Sequence, residues 1–99
     1  MANAFLLSIT LLFTSIAHAE TVSVKYYGAV NLNSFDCAKT ISSFVNRICY
    51  DESSQTAIVL LRSTYYAYCR IPKTTISEWL RSASKGRYYN SVIKGKYRC

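Results

Sequence analysis

Four cysteines set the terms on which this chain can fold. Cys37, Cys49, Cys69 and Cys99 all lie downstream of an apolar run over residues 4–17. That run closes in Ala17-His18-Ala19, small residues about one spacer, the cleavage pattern of a secretory signal. It is shorter than the ~18 residues a membrane span requires, and no Lys or Arg cluster follows to stop transfer. Its leading end carries no Lys or Arg, so only the terminal amine charges it. The sequence therefore predicts a leader over residues 1–19 and a secreted or periplasmic chain starting at Glu20. In an oxidising compartment an even count of cysteines reads as two disulfides. A chain of this size buries only about 60% of its unfolded surface, and two bridges at roughly 2–4 kcal/mol each offset the small core.

The same cut removes His18, the sole histidine. Without imidazole, Ser-His and Cys-His nucleophilic chemistry is excluded, and so is histidine metal ligation. The cysteine gaps contain no C-x2-C pair, so neither zinc nor any other metal is predicted. Acid–base work would fall to Glu20, Asp36, Asp51, Glu52 and Glu78, of which only Asp51 and Glu52 are neighbours, in a polar turn. The reading is a protein without catalytic residues and without a cofactor.

Periodicity sorts the rest of the chain. "TVSVKYYGAV" has some strand character, broken at Gly28, and "NLNS" reads as a loop. "SFVNRICY" alternates Phe44, Asn46, Ile48 and Tyr50 against Val45, Arg47 and Cys49, a half-buried strand. "DESSQ" supplies a polar turn, and "TAIVLLR" is apolar on both faces, as a strand covered on both sides must be. A third strand over residues 64–71 places Tyr66 and Tyr68 on one face and Tyr65, Ala67 and Cys69 on the other. Past Pro72, Thr75 as N-cap with Glu78 three residues on predicts a capping box. Ile76, Trp79, Leu80 and Ala83 form one apolar stripe, and Gly86 is placed to end that helix in the left-handed conformation. "RYYNSVI" predicts a second short helix stopped by Gly95, followed by an extended "KGKYRC". Strands followed by helices predict an α+β fold: a small antiparallel sheet of three to four strands, then two helices packed on one face, stapled by disulfides.

Three of these stretches, "SFVNRICYD", "YYAYCRIP" and "ASKGRYYNSVIKGKY", together resemble the KTSC domain over residues 42–97. This is a bacterial domain of about sixty residues, found alone or at the C-terminus of some lysyl-tRNA synthetases. Its Y-x-Y motif corresponds to Tyr66-Ala67-Tyr68, followed by Ile71-Pro72. The small-residue turn before two aromatics corresponds to Ser84 through Asn90, leading to Ile93-Lys94. The resemblance divides the chain into the leader over residues 1–19, an N-terminal extension over 20–41 and a domain over 42–99. The leader, the extension and the four cysteines are this chain's own departures. An exported protein rarely meets tRNA, so the resemblance carries over the fold rather than the partner.

Charge points to where a partner would sit. From Glu20 to Cys69 four bases balance four acids, whereas Arg70, Lys73, Arg81, Lys85, Arg87, Lys94, Lys96 and Arg98 face Glu78 alone, so the whole net charge of +7 lies in the last thirty residues. Such asymmetry draws in polyanions. Arg70, Lys85, Arg87, Lys94, Lys96 and Arg98 are the candidate binding residues, and the helix start near Gly86 offers backbone donors to an anion. Nucleic acid, acidic glycan and anionic lipid headgroup are the candidate ligands. The competing reading is a protein-interaction or inhibitor module that uses the far sheet face around an exposed Tyr65. Tyr66, Tyr68 and Trp79 read as core. In a plain meander, Cys49 and Cys69 sit two strands apart, roughly 9–10 Å, beyond disulfide reach. That favours Cys37–Cys49 with Cys69–Cys99. The alternative, Cys37–Cys99 with Cys49–Cys69, joins the two termini and requires strands that are not a plain meander.

Overall fold

The structure, a computed structural model, describes residues 19–99. The predicted leader lies outside them except for its last residue. The strands in chain order are β1 (Thr21–Val24), β2 (Gly28–Asn31), β3 (Asp36–Lys39), β4 (Val45–Asp51), β5 (Thr56–Leu61) and β6 (Thr64–Tyr68). Two short helices follow, α1 (Lys73–Arg81) and α2 (Lys85–Tyr88), the second running on into a π-helical turn, Tyr89–Ile93.

The strands form one six-stranded sheet in the order β2-β1-β6-β5-β4-β3. Its centre is the antiparallel meander β4-β5-β6, with Ile48 opposite Val59 and Val59 opposite Tyr66. The sheet exceeds the three to four antiparallel strands predicted, and it is mixed. Two four-residue strands of the extension fold into a hairpin whose β1 joins β6 in parallel through Val24 and Tyr65. On the other edge β3 pairs antiparallel with β4. The physical cause lies in β5, whose apolar residues on both faces need cover on both sides.

That cover comes as two cores. On the helix face, Ile48, Ala57, Val59 and Tyr68 pack with Ile71, Ile76, Trp79, Tyr89 and Ile93. On the other face, Ile58 and Cys49 pack with Val24 and Leu32 from the extension. A bulge between Val45 and Arg47 turns Val45 into the helix-side core, off the simple alternation. Burying side chains such as Ile58 or Ile71 is worth roughly 1.5–3 kcal/mol each.

The helices depart from expectation in four places. The first starts at Lys73 with Pro72 as its cap, and the Pro72 carbonyl accepts from the Thr75 and Ile76 N–H groups. Proline's fixed φ presets that start, so no Thr75–Glu78 capping box forms, and Glu78 accepts from the Tyr88 hydroxyl at 3.2 Å instead. Leu80, inside the helix, and Ala83, beyond its end at Arg81, are both exposed, and only Ile76 and Trp79 reach the core. Gly86 is not the left-handed terminator. It lies inside α2, where a Cβ would stand 2.6 Å from Phe44 Cε1, so it is required for close approach. Gly95 does take the left-handed conformation, φ +75°, and the tail beyond it is a turn rather than an extended strand, with Lys96 N–H bonded to Ile93 O at 3.0 Å.

Both disulfides form, in the short-loop pairing. Cys37 and Cys49 are direct cross-strand neighbours on β3 and β4, and Cys69, just past β6, ties down Cys99. Among the described residues no helix is long and apolar enough to cross a membrane.

Candidate functional site

The tyrosines and cations that the sequence scatters come together in one groove of about 500 Å³. Its floor is built by β6 and the π-helical turn. Tyr68 and Tyr89 are each 8% exposed, their rings meet edge to face, and their hydroxyls lie 2.8 Å apart. Burial, and then the bond to Tyr89, push the Tyr68 hydroxyl well above the ordinary phenol range, so Tyr68 keeps its proton. Tyr66, half-buried beside them, completes it. The rim comes from two segments. Lys94, Arg98 and Cys99 belong to the C-terminal tail, held in place by the Cys69–Cys99 bridge and by the Cys69 N–H bonded to Tyr97 O at 2.8 Å. Lys25, Tyr26 and Tyr27 belong to the turn between β1 and β2. No Asp, Glu, Asn or Gln side chain is among the lining residues.

The predicted basic residues line different concavities. Lys94 and Arg98 line the groove, whereas Lys85 and Arg87 line a separate depression with Ile41 and Phe44. The Lys85 ammonium is occupied by the Ser82 carbonyl at 2.7 Å, and that of Lys96 by the Ser91 carbonyl at 3.2 Å. Arg70 is exposed and reaches the Arg98 carbonyl at 3.4 Å. The helix start near Gly86 offers less than expected. Its cap is Ser84, whose hydroxyl already accepts the Arg87 N–H, and α2 spans only Lys85–Tyr88.

Tyr65 lies on the face opposite Tyr66 and Tyr68 but is half-buried in the second core, its hydroxyl accepting from Arg47 at 3.0 Å. Arg47 also grips Glu20 through two bonds of 2.7 and 2.9 Å, which hold the Glu20 carboxyl below the usual range and the guanidinium above its own. Trp79 is fully buried, with its indole N–H donated to Lys85 O at 3.0 Å. Tyr68 is likewise core; Tyr66 is half-buried against it.

The tyrosines that do stand in solvent are Tyr26, 92% exposed, and Tyr27, 50% exposed. Sequence reasoning missed both. The available signal was "KYYG", a cation and two aromatics directly before a glycine, which marks a turn tip. Tyr26 itself holds φ +65°, and the Lys25 ammonium lies 5.2 Å from its ring centroid.

Comparison with known proteins places this architecture. The KTSC domain profile matches residues 41–97. The chain belongs to the KTSC domain family. Over 65 residues, 65% of this chain, it is 32% identical to a lysine–tRNA ligase of Trichormus variabilis, of whose length it spans 12%. The crystal structure of a KTSC domain protein from Yersinia pestis superposes with a TM-score of 0.60 at 26% identity, over 64% of this chain and 90% of that one. The KTSC match holds the groove's floor and Lys94 of its rim, while Lys25, Tyr26 and Tyr27 precede it and Arg98 and Cys99 follow it. Both disulfides also reach outside the match, through Cys37 and Cys99.

Proposed function

We propose that this KTSC protein is a non-enzymatic, exported binding module that holds an anionic partner at its basic C-terminal surface, with the groove as the point of contact. One observation carries the reading. Lys25, Lys94 and Arg98, from opposite ends of the chain, converge on one concavity that no Asp or Glu side chain lines. Like charges repel, and an anion from outside would relieve the repulsion among the three. The matching segment of a tRNA-handling ligase is consistent with an anionic partner. Residues 19–99 contain no histidine, which argues for binding rather than turnover. Export rests on the leader pattern and on two formed disulfides. The protein-partner reading draws less support, because Tyr65 is half-buried and its hydroxyl accepts from Arg47.

The test is a salt titration of the oxidised protein against a sulfated glycan, short duplex DNA and anionic vesicles. Binding should weaken steeply with ionic strength. Arg98→Ala should flatten the slope of log affinity against log salt by about 0.9 if the ligand is the duplex. Lys96→Ala, at a residue outside the groove lining, should change it less. Absence of binding to all three at ~20 mM salt, where screening is weak, would reduce the charge asymmetry to a solvated face.

A further inference from the structure

The groove has a chemistry more specific than positive charge. It presents three kinds of group together: exposed aromatic rings (Tyr26 and Tyr27), cations (Lys25, Lys94 and Arg98) and a phenol pair on the floor. The phenol pair matters because two hydroxyls sharing one hydrogen bond spend only one proton on it. Tyr68 and Tyr89 have no other hydrogen-bond partner among the described residues, so one O–H at the groove floor is still available to donate. The tip of the extension hairpin adds rings that gain nothing from folding. Tyr26 is nearly fully exposed and sits in the left-handed region, where a residue without a glycine's freedom is rarely found.

A ligand that uses all three needs a flat apolar face, hydroxyl groups and negative charge on the same scaffold. Nucleobase edges are read by Arg or Lys on guanine, Asn or Gln on adenine and Asp or Glu on cytosine; the lining has cations but no amide or carboxylate side chain, so of these contacts it offers only the one to guanine. A pyranose bearing a carboxylate supplies all three requirements in each ring: its face stacks on tyrosine, its hydroxyls meet the phenol and its carboxylate meets the cations. A volume of about 500 Å³ lies in the range that holds a compact ligand, here a short run of such rings.

Building on the anion-binding reading, we infer that the groove between the β1–β2 turn and the C-terminal tail is a subsite for an acidic oligosaccharide, with Tyr26 stacking on a sugar ring. The hairpin is therefore part of the site rather than a structural appendage. The extension gives this KTSC protein a ligand-contacting wall that precedes the matched domain.

Isothermal titration of the oxidised protein with trigalacturonate, its fully methyl-esterified form and hexathymidylate tests this. The methyl ester keeps the rings and removes the charge. Trigalacturonate should bind, the methyl ester about tenfold or more weaker, as the loss of charge-assisted bonds implies. Tyr26→Asn keeps a residue at ease in the left-handed conformation and should weaken trigalacturonate by at least about fivefold, the low end for a lost stacking ring. Tyr26→Phe should stay within about twofold. Equal binding of the methyl ester, or tighter binding of hexathymidylate than of trigalacturonate, overturns the inference. If long polyanions bind in a salt-dependent way while Tyr26→Asn behaves as wild type, the groove subsite falls and the anion-binding module stands. If no polyanion binds at all, both fall.

Discussion

Replacing Gly86 by alanine sets two effects of known size against each other. Gly86 is buried within α2 and does not occupy the left-handed region. On backbone grounds alone Ala should therefore be better, by about 0.5–1 kcal/mol. Space argues the other way. The added Cβ would stand 2.6 Å from Phe44 Cε1, 3.1 Å from Cζ and 3.4 Å from Cδ1. The Phe44 ring cannot turn away freely, because Tyr89 meets it edge-on at 6.0 Å and the Arg62 guanidinium lies 5.8 Å from its centroid. Overpacking of this kind costs about 1–3 kcal/mol, so against the backbone gain the net expectation for Gly86→Ala is a loss of up to about 2.5 kcal/mol. In a domain this small that lowers Tm by about 4–8 °C per kcal/mol. The assay is thermal and urea unfolding of the oxidised protein, with Phe44→Ala and the double variant completing a cycle. Once the ring is gone, the second substitution should turn neutral or favourable, a coupling of at least about 1 kcal/mol. A stabilised Gly86→Ala single variant would refute the steric reasoning and leave helix propensity as the deciding factor.

Tyr68→Ala should cost about 3–5 kcal/mol as a large-to-small change in the core, and Tyr68→Phe about 1 kcal/mol for the bond to Tyr89; an unchanged urea midpoint for the alanine variant would place Tyr68 outside the core. Stability should fall at alkaline pH. The hydroxyls of Tyr50, Tyr68 and Tyr88 are all pushed up by burial first, so the unfolded chain gives up those protons near pH ~10 while the folded chain retains them. Their contribution is complete below about pH 10 and is lost as the pH rises above it. Urea midpoints measured across that range check the sign, and a midpoint that rises with pH would contradict it. Tyr68→Phe should flatten the decline.

The part of the fold set by periodicity was legible. Alternation in residues 44–50 and a doubly apolar β5 announce the meander, and strand spacing then argues for the disulfide pairing that forms. The edges were only partly legible: "TVSVKYYGAV" showed the strand character of β1 and β2, but β1, β2 and β3 are four residues each and bury little themselves, so neither β3 nor their place in the sheet could be read. Their strand character comes from the partner they cover. Thr75 and Glu78 matched a capping pattern, yet Pro72 started the helix earlier. Gly86 looked like a terminator because a sequence shows that a residue lacks a Cβ but not whether space or torsion demands it. The candidate groove was half legible. Lys94 and Arg98 stood out as charge, but Lys25, Tyr26 and Tyr27 join them only through the way the extension folds back onto β6.

That junction is one register pair wide. Val24 opposite Tyr65 is the single rung between β1 and β6, reinforced by the Lys25 N–H bonded to Tyr65 O at 2.9 Å. So narrow a hydrogen-bonded seam leaves the hairpin held mainly by Val24 and Leu32 in the second core and by the Glu20–Arg47 bonds, and its amides should exchange through a more local opening than those of Ile48 and Val59. Whatever occupies the groove touches both sides of the seam, so occupancy and docking are linked by mass action. A bound ligand should slow deuterium uptake across residues 21–31 while leaving the meander as it was, so the hairpin amides serve as a reporter of occupancy built into the backbone.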